Sequence, residues 1–207
     1  PMDQTYTYDL PDLNLLQSNQ DKGFMVFRPM AEIAVLGRSN TSGSSLQLDS
    51  IKADGVKIIQ RHSGGESVFI SPKMCVISIK MPLKMDIKAQ NYFAIANQPI
   101  QKCLLEMGVH SIHQKGISDL SINQKKILGS SIYRTSSAMF YHAILNLEEE
   151  VEKIAKYLKH PKREPDYRNG RSHNEFITSL LLEGYAINFD DFKGCLELEI
   201  QQTLNEF

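Results

Sequence analysis

Net charge is nearly missing from this chain: 23 Lys and Arg face 24 Asp and Glu over 207 residues, a formal balance of −1. Nucleic acid calls for a concentrated basic face, so no polynucleotide partner is expected. Basic runs such as Lys159-His160-Pro161-Lys162-Arg163 read as solvated turns. Long apolar runs are also lacking. Leu180-Leu181-Leu182 falls far below the roughly 20 residues of a membrane helix, and no membrane partner is expected. The first residues show no basic head followed by an apolar stretch, so no signal peptide is visible in them. Cysteine is scarce. Cys75, Cys103 and Cys195 are widely separated and odd in number, which fits neither a disulfide framework nor a CxxC metal site and points to a reducing cytoplasm. No histidine pair has metal-ligand spacing, so zinc is not expected. No internal repeat is found.

What is present suffices for one well-buried domain. Residues 1–22 are polar and weakly patterned, an N-terminal segment ahead of a single domain over 23–207. Strand-like runs at 24–27, 33–36, 56–59, 68–70 and 75–81 are separated by Gly, Ser and Asp clusters. The run Thr41-Ser42-Gly43-Ser44-Ser45 is a candidate flexible loop. Residues 88–107 show helical spacing, with Gly108 as a stop and a kink or break predicted at Pro99. Strands return at 111–114, 120–122, 126–128 and 132–134. An apolar stripe from Leu147 to Leu158 predicts a helix that Pro161 stops. The stretch 159–171 reads as an exposed loop. The capping box Ser172-x-x-Glu175 opens a helix to Gly184, and a final amphipathic helix covers 190–204. Strands first and helices late argue for an α+β domain.

Two stretches carry candidate chemistry. Gly116 to Ser130 reads as a strand, a hairpin tip at Asn123-Gln124, and a second strand bringing Lys126 toward the small-residue corner Gly129-Ser130. An ammonium there, with nothing bulky after it, suits a carboxylate or phosphate; an exposed strand lysine is the alternative. Alternation puts Lys125 and Lys126 on opposite faces, so only one can point inward. Upstream stand Gly37-Arg38-Ser39-Asn40 and Gln60-Arg61-His62-Ser63-Gly64-Gly65-Glu66. In this order, Gly-Arg-Ser-Asn, Arg-x-Ser-Gly-Gly, Ser-Asp-Leu and Lys-Lys-Ile-x-Gly-Ser make the chain resemble the lipoate-protein ligase branch of the biotin/lipoate ligase family over residues 35–145.

The resemblance implies a mixed, mostly antiparallel sheet flanked by helices, as in class II synthetase-like catalytic domains. It implies ATP-dependent activation of lipoate or octanoate to acyl-AMP, followed by transfer to a lysine of a lipoyl acceptor domain. Acceptors of that kind are 2-oxoacid dehydrogenase E2 subunits and the glycine cleavage H protein. By motif position Lys126 is the catalytic lysine. Arg38, Arg61, Ser63, Gly64, Gly65, Ser118, Asp119, Gly129 and Ser130 fall at substrate- and nucleotide-binding positions. Asp119 is also the candidate Mg²⁺ ligand, with capping of a turn as its alternative. Arg163, Tyr167, Arg168 and Arg171 resemble a C-terminal element that would dock an acidic acceptor domain; a structural loop packed across the sheet is the alternative. His142, where the family has a His-Gly pair, reads as a hydrogen-bonded structural residue.

Several positions depart from the family pattern: Gln60 for arginine, Glu66 for glycine, Ile70-Ser71 for His-Asp and Ser118 for asparagine. The small accessory domain of many such ligases is expected to be absent, and a separate accessory chain is a candidate partner. Two other readings stay open. A nucleotide-independent lipoyl/octanoyl transferase would use a cysteine after the His-Gly segment, and none lies between His142 and Pro165. A catalytically inactive lipoyl-binding or regulatory module is favoured by Glu66 and the missing His-Asp.

Overall fold

Runs rich in Val, Ile and Phe become the strands of two sheets. The computed structural model describes residues 4–207. Its strands are β1 (Thr5–Thr7), β2 (Gly23–Phe27), β3 (Ile33–Leu36), β4 (Lys57–Gln60), β5 (Val68–Ile70), β6 (Met74–Pro82), β7 (Ile112–Lys115), β8 (Asp119–Ile122), β9 (Lys125–Arg134) and β10 (Ala138–Asn146). Its helices are α1 (Leu13–Gln17), α2 (Ser42–Ser45), α3 (Leu48–Asp54), α4 (Asn91–Glu106), α5 (Val151–Tyr157), α6 (His173–Phe176) and α7 (Phe189–Asn205). The larger sheet has the order β2-β6-β10-β9-β8-β7 and is antiparallel throughout. The smaller has the order β1-β4-β3-β5, with β4 parallel to both neighbours and β5 antiparallel to β3. The expected α+β architecture is the one observed.

One face of the larger sheet is covered by α4 and α7. The α7 stripe Phe192, Leu196, Ile200 and Leu204 repeats every fourth residue and is buried along its length. Each such side chain contributes about 1.5–3 kcal/mol on leaving water. The other face meets the smaller sheet: Met74, Phe27 and Ile144 pack with Val35, Ile59, Phe69, Ile51 of α3 and Ile154 and Tyr157 of α5. Between these two sheets a cleft opens.

Several local expectations are corrected. Pro99 does not break α4, because the buried stripe Tyr92, Ala96, Ile100 and Leu104 holds the helix on both sides of the missing N–H. The strands at 126–128 and 132–134 are one, β9. The Ser172 capping box forms as expected but opens a single turn, α6, after which Ile177 is extended and bridges to Lys126. The 41–45 stretch is the one-turn α2, closed by its own Thr41/Ser44 capping box. Of the weakly patterned opening segment, residues 1–3 lie outside the described residues and the rest is packed in: Asp12 is fully buried, accepting from Tyr8 Oη at 2.8 Å and Ser78 Oγ at 2.6 Å. Lys80 Nζ then caps the Leu15, Leu16 and Ser18 carbonyls at the end of α1.

The cysteine expectation also fails. Sequence distance hides that α4 and α7 lie side by side, which brings the Cys103 and Cys195 Cα atoms to 6.0 Å and pairs them as a disulfide. The inference of a reducing cytoplasm loses its support. Closing a loop of 92 residues removes on the order of 4–5 kcal/mol of unfolded-chain entropy in the simple cross-link model. Reduction, or Cys195→Ser, is therefore expected to lower the melting temperature by about 10 °C. Two titratable thiols in the unreduced native chain beyond Cys75 would contradict the pairing.

Candidate active site

Parity along β9 would aim the wrong lysine. Leu128 pairs with Leu145 on the helix side of the larger sheet, whereas Gly129 and Ser131 pair with Ile144 and His142 on the cleft side. Counting back by twos from Gly129 reaches Ile127 and Lys125. A bulge intervenes: Leu120 pairs with Leu128 but Ser121 with Lys126, so Ile127 is an extra residue and Lys126 turns to the cleft face. Thr178 N–H bonds the Lys126 carbonyl at 3.0 Å, fixing the strand where β10 no longer covers it.

The ammonium of Lys126 lies 3.0 Å from Asp119 Oδ1, and the Asp119 side chain is 7% exposed. Tyr167 Oη donates to the other Asp119 oxygen at 2.9 Å, and Ser118 Oγ donates to Oδ1 at 3.2 Å. Burial keeps the Tyr167 phenol protonated by raising its pKa, so it remains a donor. Gly129 makes room for the lysine: a Cβ there would sit 2.6 Å from both Lys126 Cε and Nζ. Ser130 Oγ closes the corner by donating to the Ser118 carbonyl at 2.7 Å.

Across the cleft, the 63–66 turn is braced from within by Arg61. Its Nε donates to Ser63 Oγ at 2.9 Å and its Nη2 to the Gly64 and Glu66 carbonyls at 2.7 and 2.8 Å. Arg61 is 7% exposed, and burial lowers its pKa to about 10. The turn packs so closely on the end of β3 that a Cβ on Gly37 would lie 1.9 Å from the Gly65 carbonyl. Gln60, standing where an arginine was expected, spans the Arg38 and Asn40 carbonyls at 3.2 Å each.

The cleft encloses about 1000 Å³. One part is polar, with Gly65, Ser67, Ser118, Asp119, Lys126 and Ser130; another is apolar, with Met74, Val76, Ile144, Ile154 and Leu158. The 159–171 loop lies over it. Glu66 lines the cleft and accepts the Arg163 N–H at 3.3 Å, so its carboxylate is engaged with that loop.

A match to the lipoyl protein ligase A/B catalytic domain covers residues 11–201. This chain belongs to that family. Lipoate-protein ligase A of Psychrobacter cryohalolentis is 28% identical over 144 residues, 69% of this chain and 41% of that protein. The chain spans less than half the length of such curated relatives. A bipartite lipoate protein ligase from Thermoplasma acidophilum, studied with its E2 lipoyl domain, superposes with a TM-score of 0.77 at 19% identity, over 91% of this chain and 73% of that one. A lipoate-protein ligase A structure bound with ATP gives 0.75 at 18%, over 90% and 74%. At these identities the structures attest the ligase fold alone.

Within this lipoyl ligase domain, Lys126, Asp119, Ser118, Gly129, Ser130, Arg61 and Gly65 line one cleft. Ser63 is buried beneath it, and Gly64 is exposed with its carbonyl turned to Arg61. Arg38 is exposed and absent from the lining; its backbone N–H binds the Ser63 carbonyl at 2.9 Å. Tyr167 and Arg168 face inward rather than forming an outer surface, with the buried Arg168 stacked 4.7 Å from the Phe176 ring. Arg171 stacks on the same ring and binds the Tyr167 and Gln124 carbonyls. Arg163 alone of the four expected docking residues is exposed. Sequence reasoning missed Ser131 and the Tyr167–Asp119 bond; the first has no local signal beyond being a small residue after Gly129-Ser130.

His142 opens on the cleft but is buried enough that its pKa falls to about 3, burial first and the Arg61 charge second. A histidine depressed from 6.5 leaves the unfolded chain binding more protons below that pH, so stability declines as pH falls from 6.5 toward 3. The slope is about 1.4 kcal/mol per pH unit for one group. His142→Gln is expected to flatten it, read by denaturant melts at neutral and mildly acid pH; coincident slopes would show that another group governs.

Proposed function

We propose that this domain activates lipoate or octanoate with ATP and passes the acyl group to a lysine of a lipoyl acceptor domain. The observation that carries the reading is Lys126, held by Asp119 over bare Gly129 at the polar part of a cleft whose other part accepts an aliphatic chain. In the first step a carboxylate oxygen attacks the α-phosphorus and pyrophosphate leaves. In the second, the acceptor lysine attacks the acyl carbonyl and AMP leaves. Both steps build negative charge on oxygen, which a fixed ammonium in a cleft sheltered from water stabilises. Relatives bearing the name lipoate-protein ligase, one solved with ATP, support the same assignment.

The residues present do not by themselves make a magnesium site. Asp119 engages Lys126 and Tyr167 with its two oxygens, and among the described residues no three His, Cys, Asp or Glu are grouped to hold a metal. Mg²⁺ would arrive on the nucleotide, whose phosphates supply ligands the protein lacks. Cysteine-based transfer has poor support. Cys75, the one unpaired cysteine, is fully buried with its thiol pushed up to about 12, and it does not line the cleft. Acceptors of the E2 and H-protein type fit the exposed basic rim at Lys162 and Arg163, and a separate accessory chain remains part of the proposal.

Incubation with ATP and either acid is expected to release pyrophosphate and leave acyl-AMP detectable by mass spectrometry. Added apo lipoyl domain should then be acylated, in a step that salt slows more than adenylation. No pyrophosphate and no adenylate with either acid would overturn the reading.

A further inference from the structure

The catalytic lysine and the glycine turn sit on different sheets, and one hydrogen-bonded cluster ties those sheets together. Ser63 Oγ shares a hydrogen bond with His142 Nε2 of β10, another with Ser131 Oγ of β9 at 3.0 Å, and accepts from Arg61 Nε at 2.9 Å. Ser131 and His142 are register partners, so the cluster spans adjacent strands, one of them the strand that carries Lys126. Ser63 is 1% exposed and lies outside the cleft lining, which denies it a role as a nucleophile.

The same cluster dictates how the turn faces. Arg61 Nη2 holds the Gly64 and Glu66 carbonyls, and the peptides here are trans. In a trans peptide the N–H opposes the C=O, so the Gly65 and Ser67 N–H groups point away from the guanidinium. Gly65 and Ser67 both line the cleft. Arg61 is thus an internal brace: among the described residues its charge meets no carboxylate within hydrogen-bonding range, and its Nη1 has no partner.

We infer that His142 is a positioning residue that acts through Ser63, fixing the 63–66 turn relative to β9 so that the turn's N–H groups and the Lys126 ammonium address the same reacting group. The inference rests on the ligase reading for its kinetic part alone. His142 needs no proton transfer for this work; it needs a ring nitrogen at the Ser63 hydroxyl. Ser131 completes the pin, and Arg61 stiffens the turn that the pin holds.

The decisive measurement is hydrogen exchange on the ligand-free protein, which requires no activity. His142→Ala and Ser63→Ala are each expected to speed exchange of the Arg38 N–H, which bonds the Ser63 carbonyl of the turn at 2.9 Å, by about tenfold, the worth of one part-buried hydrogen bond, with α4 unchanged. The double variant should go little further, because both changes break the same link. In adenylate formation, kcat should fall by about 10- to 100-fold with the KM for the acid nearly constant, as misplacement of reacting groups does. His142→Gln, which puts an amide near the Nε2 position, should recover most of the loss in both readouts. Unchanged exchange in both single variants overturns the pin, as does a melting-temperature drop with kcat intact. A wild-type protein that makes no adenylate sinks the ligase reading, and the exchange result still decides the role of His142.

Discussion

Lys126→Ala is expected to lower acyl-adenylate formation by about 100- to 1000-fold, the range seen when one preorganised donor to a developing oxyanion is removed. Lys125→Ala should stay within about threefold of the parent, because the bulge at Ile127 sends Lys126 alone to the cleft face. The alanine also strips Asp119, 7% exposed, of its cationic neighbour, leaving Tyr167 and Ser118 as donors. Some loss of stability therefore accompanies the loss of rate. Lys126→Arg separates the two effects. It keeps the charge beside Asp119, but a planar fork cannot lie in the space over Gly129 that the ammonium stem fills, so stability should recover and rate should not. Pyrophosphate exchange at saturating ATP checks all three variants; a Lys126→Ala protein within threefold of wild type would remove the lysine from the chemistry.

Much of this was legible because it is local. The runs that became β3, β5 and β6 have the branched, apolar composition of buried strands, and the α7 stripe has a strict four-residue spacing. The glycine turn and the Lys-Lys-Ile-x-Gly-Ser segment mark the site because bare backbone is needed where chains and ligands approach closely. What escaped is what distance along the chain conceals. The Cys103–Cys195 pair depends on two helices meeting, and the inward turn of Arg168 depends on Phe176. The short α6 was overestimated for the same reason: its cap is correct, but Ile177 and Thr178 are taken by the edge of β9. Strand parity misleads outright at Lys126, since a bulge reverses which side chain faces the cleft and leaves no mark in the composition. The family motif points to the lysine that faces the cleft, where alternation alone, counted back from Ser131, would point to its neighbour.

Gly129→Ala should divide activity from stability more sharply than any change to the lysine. The added Cβ would fall 2.6 Å from Lys126 Cε and Nζ, a distance real contacts do not reach, so something must shift. What lies there is the free end of a flexible side chain, and the backbone of Gly129 is not left-handed, so β9 can accept alanine without strain. The melting temperature should move by no more than about 2–4 °C, the scale of 1 kcal/mol in a chain of this size. The ammonium, however, cannot yield without leaving its 3.0 Å contact with Asp119 Oδ1, and adenylate formation should drop by about 100-fold. Gly37→Ala offers the contrast. There the new atom meets the Gly65 carbonyl at 1.9 Å, which is backbone of the glycine turn and cannot swing aside, so folding and activity should fail together. A Gly129→Ala protein with full adenylation activity would mean that the lysine works from some other position, and the geometry proposed for the cleft would have to be given up.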